Sequence, residues 1–145
     1  MVSTELENDS LGQMREQQLG EDWIRAITEG ALDRLEEYCH RKISGRLLIP
    51  AGLVNVANIA DLIAEYRGWF GECSNLRVEA SRVATVGEKL GIFYRLLLQD
   101  SGEWYRIEQQ LYCTVKDGRA LQVHLVCSGF QPVAMNDQAA GGLTS

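Results

Sequence analysis

The residues with the clearest chemical potential are one imidazole, one phenol and two carboxamides on one face of a predicted sheet. They are His124, Tyr94, Gln109 and Gln122. An unperturbed imidazole has a pKa of about 6.5, so His124 is a candidate general base near neutral pH. The alternative is a neutral imidazole that is hydrogen-bonded to Gln109 or Tyr94 and serves structure alone. The two glutamines either orient a ligand carbonyl or satisfy His124 and each other.

Two aromatic residues of the first predicted helix, Tyr38 and Trp23, are predicted to line the same site. Tyr38 and Tyr94 are candidate donors to a developing oxyanion. The alternative is that both tyrosines belong to the core. Glu79 is a second candidate acid only if its strand alternates regularly up to the turn at Gly87-Glu88.

Three strands joined by two tight turns must position these residues. Asp117-Gly118 lies between alternating apolar runs, and Ser101-Gly102 is a weaker version of the same signal. Such pairs favour type I′ hairpin turns, because both central residues need a positive φ. The predicted strands run over 89–99, 104–115 and 120–127.

Two-residue turns fix the register of the strands they join. This register places Tyr94 opposite Gln109, and Leu111 opposite His124. The site residues then share a face with apolar side chains, which is the predicted core face. The predicted site is an apolar cavity between the first helix and this face.

Two amphipathic helices are predicted to cover the core face. The first begins at Glu21 and is interrupted at Gly30, because glycine destabilises a helix interior. The second is capped by Asn58 and ends at Gly71. Its apolar residues follow the spacing of one helix face: Ile59, Leu62, Ile63, Tyr66 and Phe70.

Length and composition predict one domain over residues 21–133, with flexible tails at 1–20 and 134–145. The net charge of −6 and the pI near 4.9 argue against a nucleic-acid partner. No apolar run is long enough for a membrane span, so we expect a cytoplasmic protein. The four cysteines form no CxxC pair and only two histidines accompany them, so they are predicted to be buried free thiols, with no metal and no cofactor.

The opposite face of the sheet mixes aromatic side chains with long charged ones. It carries Phe93, Arg95, Trp104 and Tyr112, and the register sets Arg95 opposite Glu108. This composition favours a sheet-to-sheet contact over open solvent. We therefore expect a homodimer that pairs through this outer face.

The order of elements resembles the nuclear transport factor 2-like superfamily. The resemblance rests on the segments 23–35, 59–70 and 112–119, the last running on to 132, and it covers roughly residues 21–133. It implies an α+β fold in which a curved antiparallel sheet wraps around N-terminal helices as a cone. Ketosteroid isomerase, SnoaL-type polyketide cyclases and limonene epoxide hydrolase share that fold, but their carboxylate catalytic residues find no match here.

Two functions follow as hypotheses. The first is an acid–base isomerase, cyclase or dehydratase that acts on a small hydrophobic carbonyl compound, with His124 as base and Tyr94 or Tyr38 as donor. The second is a non-catalytic domain that holds a hydrophobic ligand or serves as a dimeric accessory module. A second proton-transfer group near His124 would favour catalysis, whereas a site of glutamines alone would favour binding.

Overall fold

The computed structural model describes the backbone of residues 2–134 and the side chains of residues 10–134. Three helices and seven strands follow one another along the chain. They are α1 (Val2–Thr28), a 3-10 turn (Leu32–Arg34) that runs into α2 (Leu35–Tyr38), β1 (Cys39–Ile49), β2 (Gly52–Val56), α3 (Ile59–Phe70), β3 (Ser74–Val86), β4 (Lys89–Asp100), β5 (Glu103–Lys116), β6 (Arg119–Cys127) and β7 (Gln131–Pro132).

The strands form one curved, open sheet in the order β2-β1-β6-β5-β4-β3, and β7 pairs with β5. All pairs are antiparallel except β1 with β6. Helix α1 packs on β3 and β4, and α3 packs on β1. The core therefore lies between the helices and one face of the sheet, here called the inner face, and the predicted α+β cone architecture is confirmed.

Helix α1 begins much earlier than the predicted start at Glu21. Leu19 and Gly20 are buried, and a Cβ on Gly20 would lie 2.6 Å from Cγ1 of Val83. Glycine thus lets the helix approach β3 closely, a tertiary reason that local sequence does not carry. The predicted interruption is confirmed, since α1 ends at Thr28 and Gly30 has a φ of 71°. Most of the predicted C-terminal tail, residues 135–145, lies outside the described residues.

The second predicted helix is confirmed together with its cap. The Asn58 side chain accepts a hydrogen bond from the Asp61 amide at 2.9 Å, and the Asp61 carboxylate accepts one from the Ala57 amide at 3.1 Å. These bonds satisfy amides that the first helical turn leaves unpaired. The segment before the cap is a short strand, β2.

The turn that joins β4 to β5 has the predicted form. Ser101 and Gly102 have positive φ values of 53° and 84°. The strands then pair as predicted, with Tyr94 opposite Gln109. The turn at Asp117 and Gly118 also has positive φ at both residues, 54° and 75°.

The predicted register between β5 and β6 is wrong beyond that second turn. Val115 pairs with Ala120 but Thr114 pairs with Gln122, so Leu121 is an extra residue in β6. Such a β-bulge reverses the side chains that follow it, because strand residues alternate between faces. His124 and Gln122 are consequently exposed on the opposite, outer face. Val123, Leu125 and Cys127 occupy the inner face in their place.

Candidate functional site

A continuous chain of hydrogen bonds crosses the interior from the helices to the sheet. The Trp23 indole N–H of α1 donates to the Tyr66 hydroxyl of α3 at 3.1 Å. The Tyr66 hydroxyl lies 3.0 Å from the Tyr94 hydroxyl of β4. All three side chains are at most 3% exposed. The chain therefore joins two helices and the central sheet within the core.

The chain continues across the sheet to β5 and β6. The Tyr94 hydroxyl donates to Oε1 of Gln109 at 2.6 Å, and Nε2 of Gln109 donates to the Cys127 sulfur at 3.4 Å. The Gly129 amide also donates to that sulfur, at 3.4 Å. We call the five side chains the buried polar chain: Trp23, Tyr66, Tyr94, Gln109 and Cys127.

The donors of the buried polar chain point in one direction. An indole only donates, and Tyr94 uses its proton on Gln109, so the Tyr66 proton points to the Tyr94 oxygen. Among the described residues, no buried side-chain nitrogen or oxygen lacks a hydrogen-bond partner. Satisfying these groups within the chain removes the cost of burying them. It also uses both tyrosine protons and the indole proton within the chain.

Burial keeps the ionisable groups of the interior neutral. It raises the pKa of the Tyr66 hydroxyl, and burial together with the nearby Tyr66 hydroxyl raises the pKa of Tyr94. Burial also raises the pKa of the Cys39 and Cys113 thiols to about 12. A neutral thiol is a weak nucleophile and a neutral phenol is a weak base. The interior therefore holds hydrogen-bonding groups that exchange no proton near pH 7.

The structure brings together three of the six predicted site residues, namely Trp23, Tyr94 and Gln109. Tyr38 lies in α2, is half-buried and packs against the core. The β6 bulge removes His124 and Gln122 from this face. Two of the four predicted polar lining residues, His124 and Gln122, are thus absent from the inner face. The other two, Tyr94 and Gln109, are hydrogen-bonded to each other.

Sequence reasoning missed the two other members of the buried polar chain, Tyr66 and Cys127. The sequence places Tyr66 on the apolar stripe of α3 and indicates no further role for it. Its hydroxyl is the one polar group on that stripe, a signal that predicts a buried partner. Cys127 gave no such signal, because its face depends on the bulge.

The outer face of the sheet carries charged groups instead. A bulge in β3 leaves Glu79 unpaired between Val78 and Ala80. Its carboxylate receives two hydrogen bonds from the Arg106 guanidinium, at 2.6 and 3.0 Å, and lies 3.4 Å from Arg95. The bonds from Arg106 are the main reason why the pKa of Glu79 is lowered. Glu79 is therefore an ion-pair partner on the outer face and does not act as an acid inside.

Apolar and aromatic side chains lie beside this ion-pair cluster. One row of successive strand partners crosses all six strands of the outer face. Three of its members are 46–56% exposed, namely Val126, Leu48 and Leu53. Phe93 of this row contacts Tyr112 edge to face, with ring centroids 5.6 Å apart. We call it the cross-sheet row: Arg82, Phe93, Gln110, Val126, Leu48 and Leu53.

The described residues include no group of three or more metal-ligating side chains. Within that same part of the chain, no helix is long and apolar enough to cross a membrane. All four cysteines are free thiols.

Comparison with known proteins gives a fold and no close relative. No family model matches the sequence, and no curated protein matches it. A putative polyketide cyclase from Xanthomonas campestris superposes with a TM-score of 0.65 at 14% identity, covering 88% of this chain and 96% of that one. An LEH-like epoxide hydrolase from Mycobacterium tuberculosis gives 0.61 at 13% identity, covering 92% of each chain. A nuclear transport factor 2-like protein of unknown function from Burkholderia xenovorans gives 0.62 at 12% identity, covering 88% of this chain and 93% of the other.

These similarities span nearly the whole of each chain, and the identities are low. They bear on architecture and leave the chemistry to the side chains of this protein. The curved sheet, the helices on its inner face and the solved structures agree with one another. The protein has the cone-shaped nuclear transport factor 2-like fold.

Proposed function

We propose that the protein is a non-catalytic domain that works as a homodimer joined through its outer sheet face. The observation that carries the proposal is the chemistry of the interior. Gln109 is the one polar or charged residue that is buried there among the described residues. An isomerase, cyclase or dehydratase needs a group that accepts a proton in the pocket. Neutral tyrosines, a carboxamide and thiols do not provide one.

The outer face suits a second copy of the chain better than it suits water. Six strands about 4.8 Å apart give a face roughly 25–30 Å wide, which is compatible with the ~800 Å² per partner of a standard interface. The cross-sheet row supplies three exposed apolar side chains on neighbouring strands, β6, β1 and β2. Aromatic residues such as Tyr112 and Trp104 are enriched in interfaces of this kind.

The charges of the outer face do not oppose such packing. Arg106 and Arg95 are paired with Glu79, and Arg95 also lies 3.5 Å from Glu108. Arg77 stacks on Trp104, with the guanidinium carbon 5.2 Å from the ring centroid. Burying a paired charge costs far less than burying a single one. The proposed interface therefore buries several charges that already have partners, and Arg82 of the cross-sheet row lies over the Phe93 ring, 5.9 Å from its centroid.

Sedimentation of the wild-type chain at micromolar concentration tests the dimer. We expect a dimer that Leu48→Glu or Tyr112→Glu converts to a monomer, because each places an unpaired charge in the interface. The matched control is Met14→Glu on α1, where the side chain is 65% exposed. Circular dichroism should be unchanged in all three variants. A wild-type monomer under these conditions would contradict the proposal.

The acid–base alternative has a separate test. The test is whether the protein turns over a hydrophobic carbonyl substrate and whether His124→Gln abolishes this turnover. Such a loss would mean that His124 contacts the substrate from the outer face. We expect no such loss. We also propose a cytoplasmic location, since four free thiols suit a reducing compartment.

A further inference from the structure

A cavity of about 280 Å³ opens where α1 and α3 both end. We call it the mouth cavity. Its walls come from the end of α1, the 3-10 turn, the end of α3 and the start of β3. Ile27 and Phe70 lie one helical turn beyond Trp23 and Tyr66 of the buried polar chain. The mouth cavity thus lies above the closed interior and does not enter it.

The floor of the mouth cavity is apolar. Ile27, Leu32 and Phe70 are at most 7% exposed, and Leu76 of β3 packs against them in the core. An apolar cavity of about 150 Å³ is large enough for benzene, whereas drug-sized ligands need roughly 300–1,000 Å³. The mouth cavity therefore has room for a small molecule with one ring and a short side chain.

The polar groups around this floor are acceptors. Two helices end here, and the C-terminal end of a helix carries a partial negative charge from its dipole, although most of the last carbonyls of α1 and α3 accept hydrogen bonds from the residues that follow each helix. The Glu29 carboxylate adds a full charge, which Arg34 partly neutralises from outside at 2.8 Å. Most side-chain donors of the lining are already engaged: the Cys73 thiol donates to the Trp69 carbonyl, the Thr28 hydroxyl donates to the Arg25 carbonyl, and one of the two Asn75 amide protons is donated to Gln99. The cavity lining includes no lysine, arginine or histidine.

We infer that the mouth cavity binds a small apolar molecule that carries an amine. The apolar part contacts Ile27, Leu32, Phe70 and Leu76. The ammonium group points to the helix C-termini and Glu29, where the negative partial charges and the carboxylate stabilise a cation. A carboxylate or phosphate on the same apolar body is repelled. This site is separate from the outer sheet face, so it does not depend on dimerisation.

Three matched probes test the inference on the wild-type chain: 2-phenylethylamine, 2-phenylethanol and 3-phenylpropanoate. Titrations followed by amide chemical shifts locate each probe and give its dissociation constant. We expect the amine to bind about tenfold more tightly than the carboxylate, with the alcohol between them. The largest shifts should fall on the amides of Gly30, Gly71 and Cys73.

Two variants separate the apolar and electrostatic contributions. Leu76→Trp fills the cavity and should abolish binding of the amine, whereas the control Leu11→Trp on the exposed side of α1 should leave it unchanged. Glu29→Gln should weaken amine binding about threefold and leave alcohol binding unchanged. The matched control is Glu37→Gln on α2, outside the cavity lining.

Equal affinities for the three probes would overturn the inference. Amine-induced shifts confined to the outer sheet face would also overturn it. If Leu76→Trp does not fold, the shift map and Glu29→Gln decide the question alone. A monomeric protein that binds the amine here would contradict the proposed dimer and leave this site standing.

Discussion

The inner and outer faces of the sheet are built from alternate residues of the same strands, but they differ in their polar groups. Those of the inner face are buried and hydrogen-bonded within the chain, whereas those of the outer face are exposed. On the inner face, Tyr94 and Gln109 are hydrogen-bonded to each other, to Tyr66 of α3 and to Cys127 of β6. On the outer face, Arg95 and Glu108 of the same two strands form a loose ion pair in contact with water. Adjacent residue pairs of β4 and β5 thus lie on opposite faces, one pair in the closed interior and the next on the exposed surface.

This difference indicates which face of the sheet has side chains available to contact a partner. A buried polar group that is satisfied within the chain stabilises one packing arrangement and offers nothing to a ligand. An exposed apolar or aromatic side chain, as in the cross-sheet row, gains free energy when a partner covers it. The exposed apolar side chains of the outer face therefore have more to gain from a partner than the satisfied polar groups of the interior.

The largest expected difference between the two faces concerns their tryptophans. Trp23→Ala should lower the free energy of unfolding by about 3–5 kcal/mol, because it opens a cavity and removes the first donor of the buried polar chain. Trp104→Ala should cost only about 1 kcal/mol, since it loses a partly exposed contact with Arg77. Urea unfolding at a fixed protein concentration measures both. Equal decreases in the free energy of unfolding for the two variants would contradict the contrast between a closed inner face and an exposed outer face.

A smaller effect is expected from two adjacent glutamines. Gln109→Met leaves the Tyr94 hydroxyl without its acceptor and should cost about 1–3 kcal/mol. Gln110→Met, on the outer face, should stay within about 0.5 kcal/mol of wild type. The double variant Tyr94→Phe/Gln109→Met should cost less than the sum of its parts, because the two groups belong to one network. Additive losses would show that the buried polar chain is not coupled.

The smallest effect concerns acid stability on the outer face. The pKa of Glu79 is lowered in the folded protein, chiefly by hydrogen bonds from Arg106, so its ionised form stabilises the fold. That contribution is present above the ordinary value of 4.5 and is lost as the pH falls through the lower, folded value. Glu79→Gln should cost about 1 kcal/mol or less at pH 7 and flatten the acid dependence below pH 4.5. The exposed turn variant Glu103→Gln should keep the wild-type dependence in the same pH series.

Local signals in the sequence determined the parts of the fold that rest on local chemistry. The Asn58 cap, the apolar spacing of α3 and the hairpin at Ser101-Gly102 each act within a few residues. From that hairpin the pairing of Tyr94 with Gln109 follows directly, because a two-residue turn fixes the register. Two of the five members of the buried polar chain were therefore predictable from this hairpin, and the order of elements predicted the fold.

Only the tertiary structure decided which face His124 occupies. The turn at Asp117-Gly118 is compatible with a regular β6 and equally with a β6 that contains Leu121 as an extra residue. No local pattern in the sequence therefore predicts the bulge. Its position is set by burial, since the bulge turns Val123, Leu125 and Cys127 toward the helices and leaves His124 in water. Gly20 of α1 similarly gains its contact from Val83 in a distant strand. Contacts between residues far apart in the chain, which sequence periodicity does not encode, place His124 and Gln122 outside the core and leave Trp23, Tyr94 and Gln109 inside it.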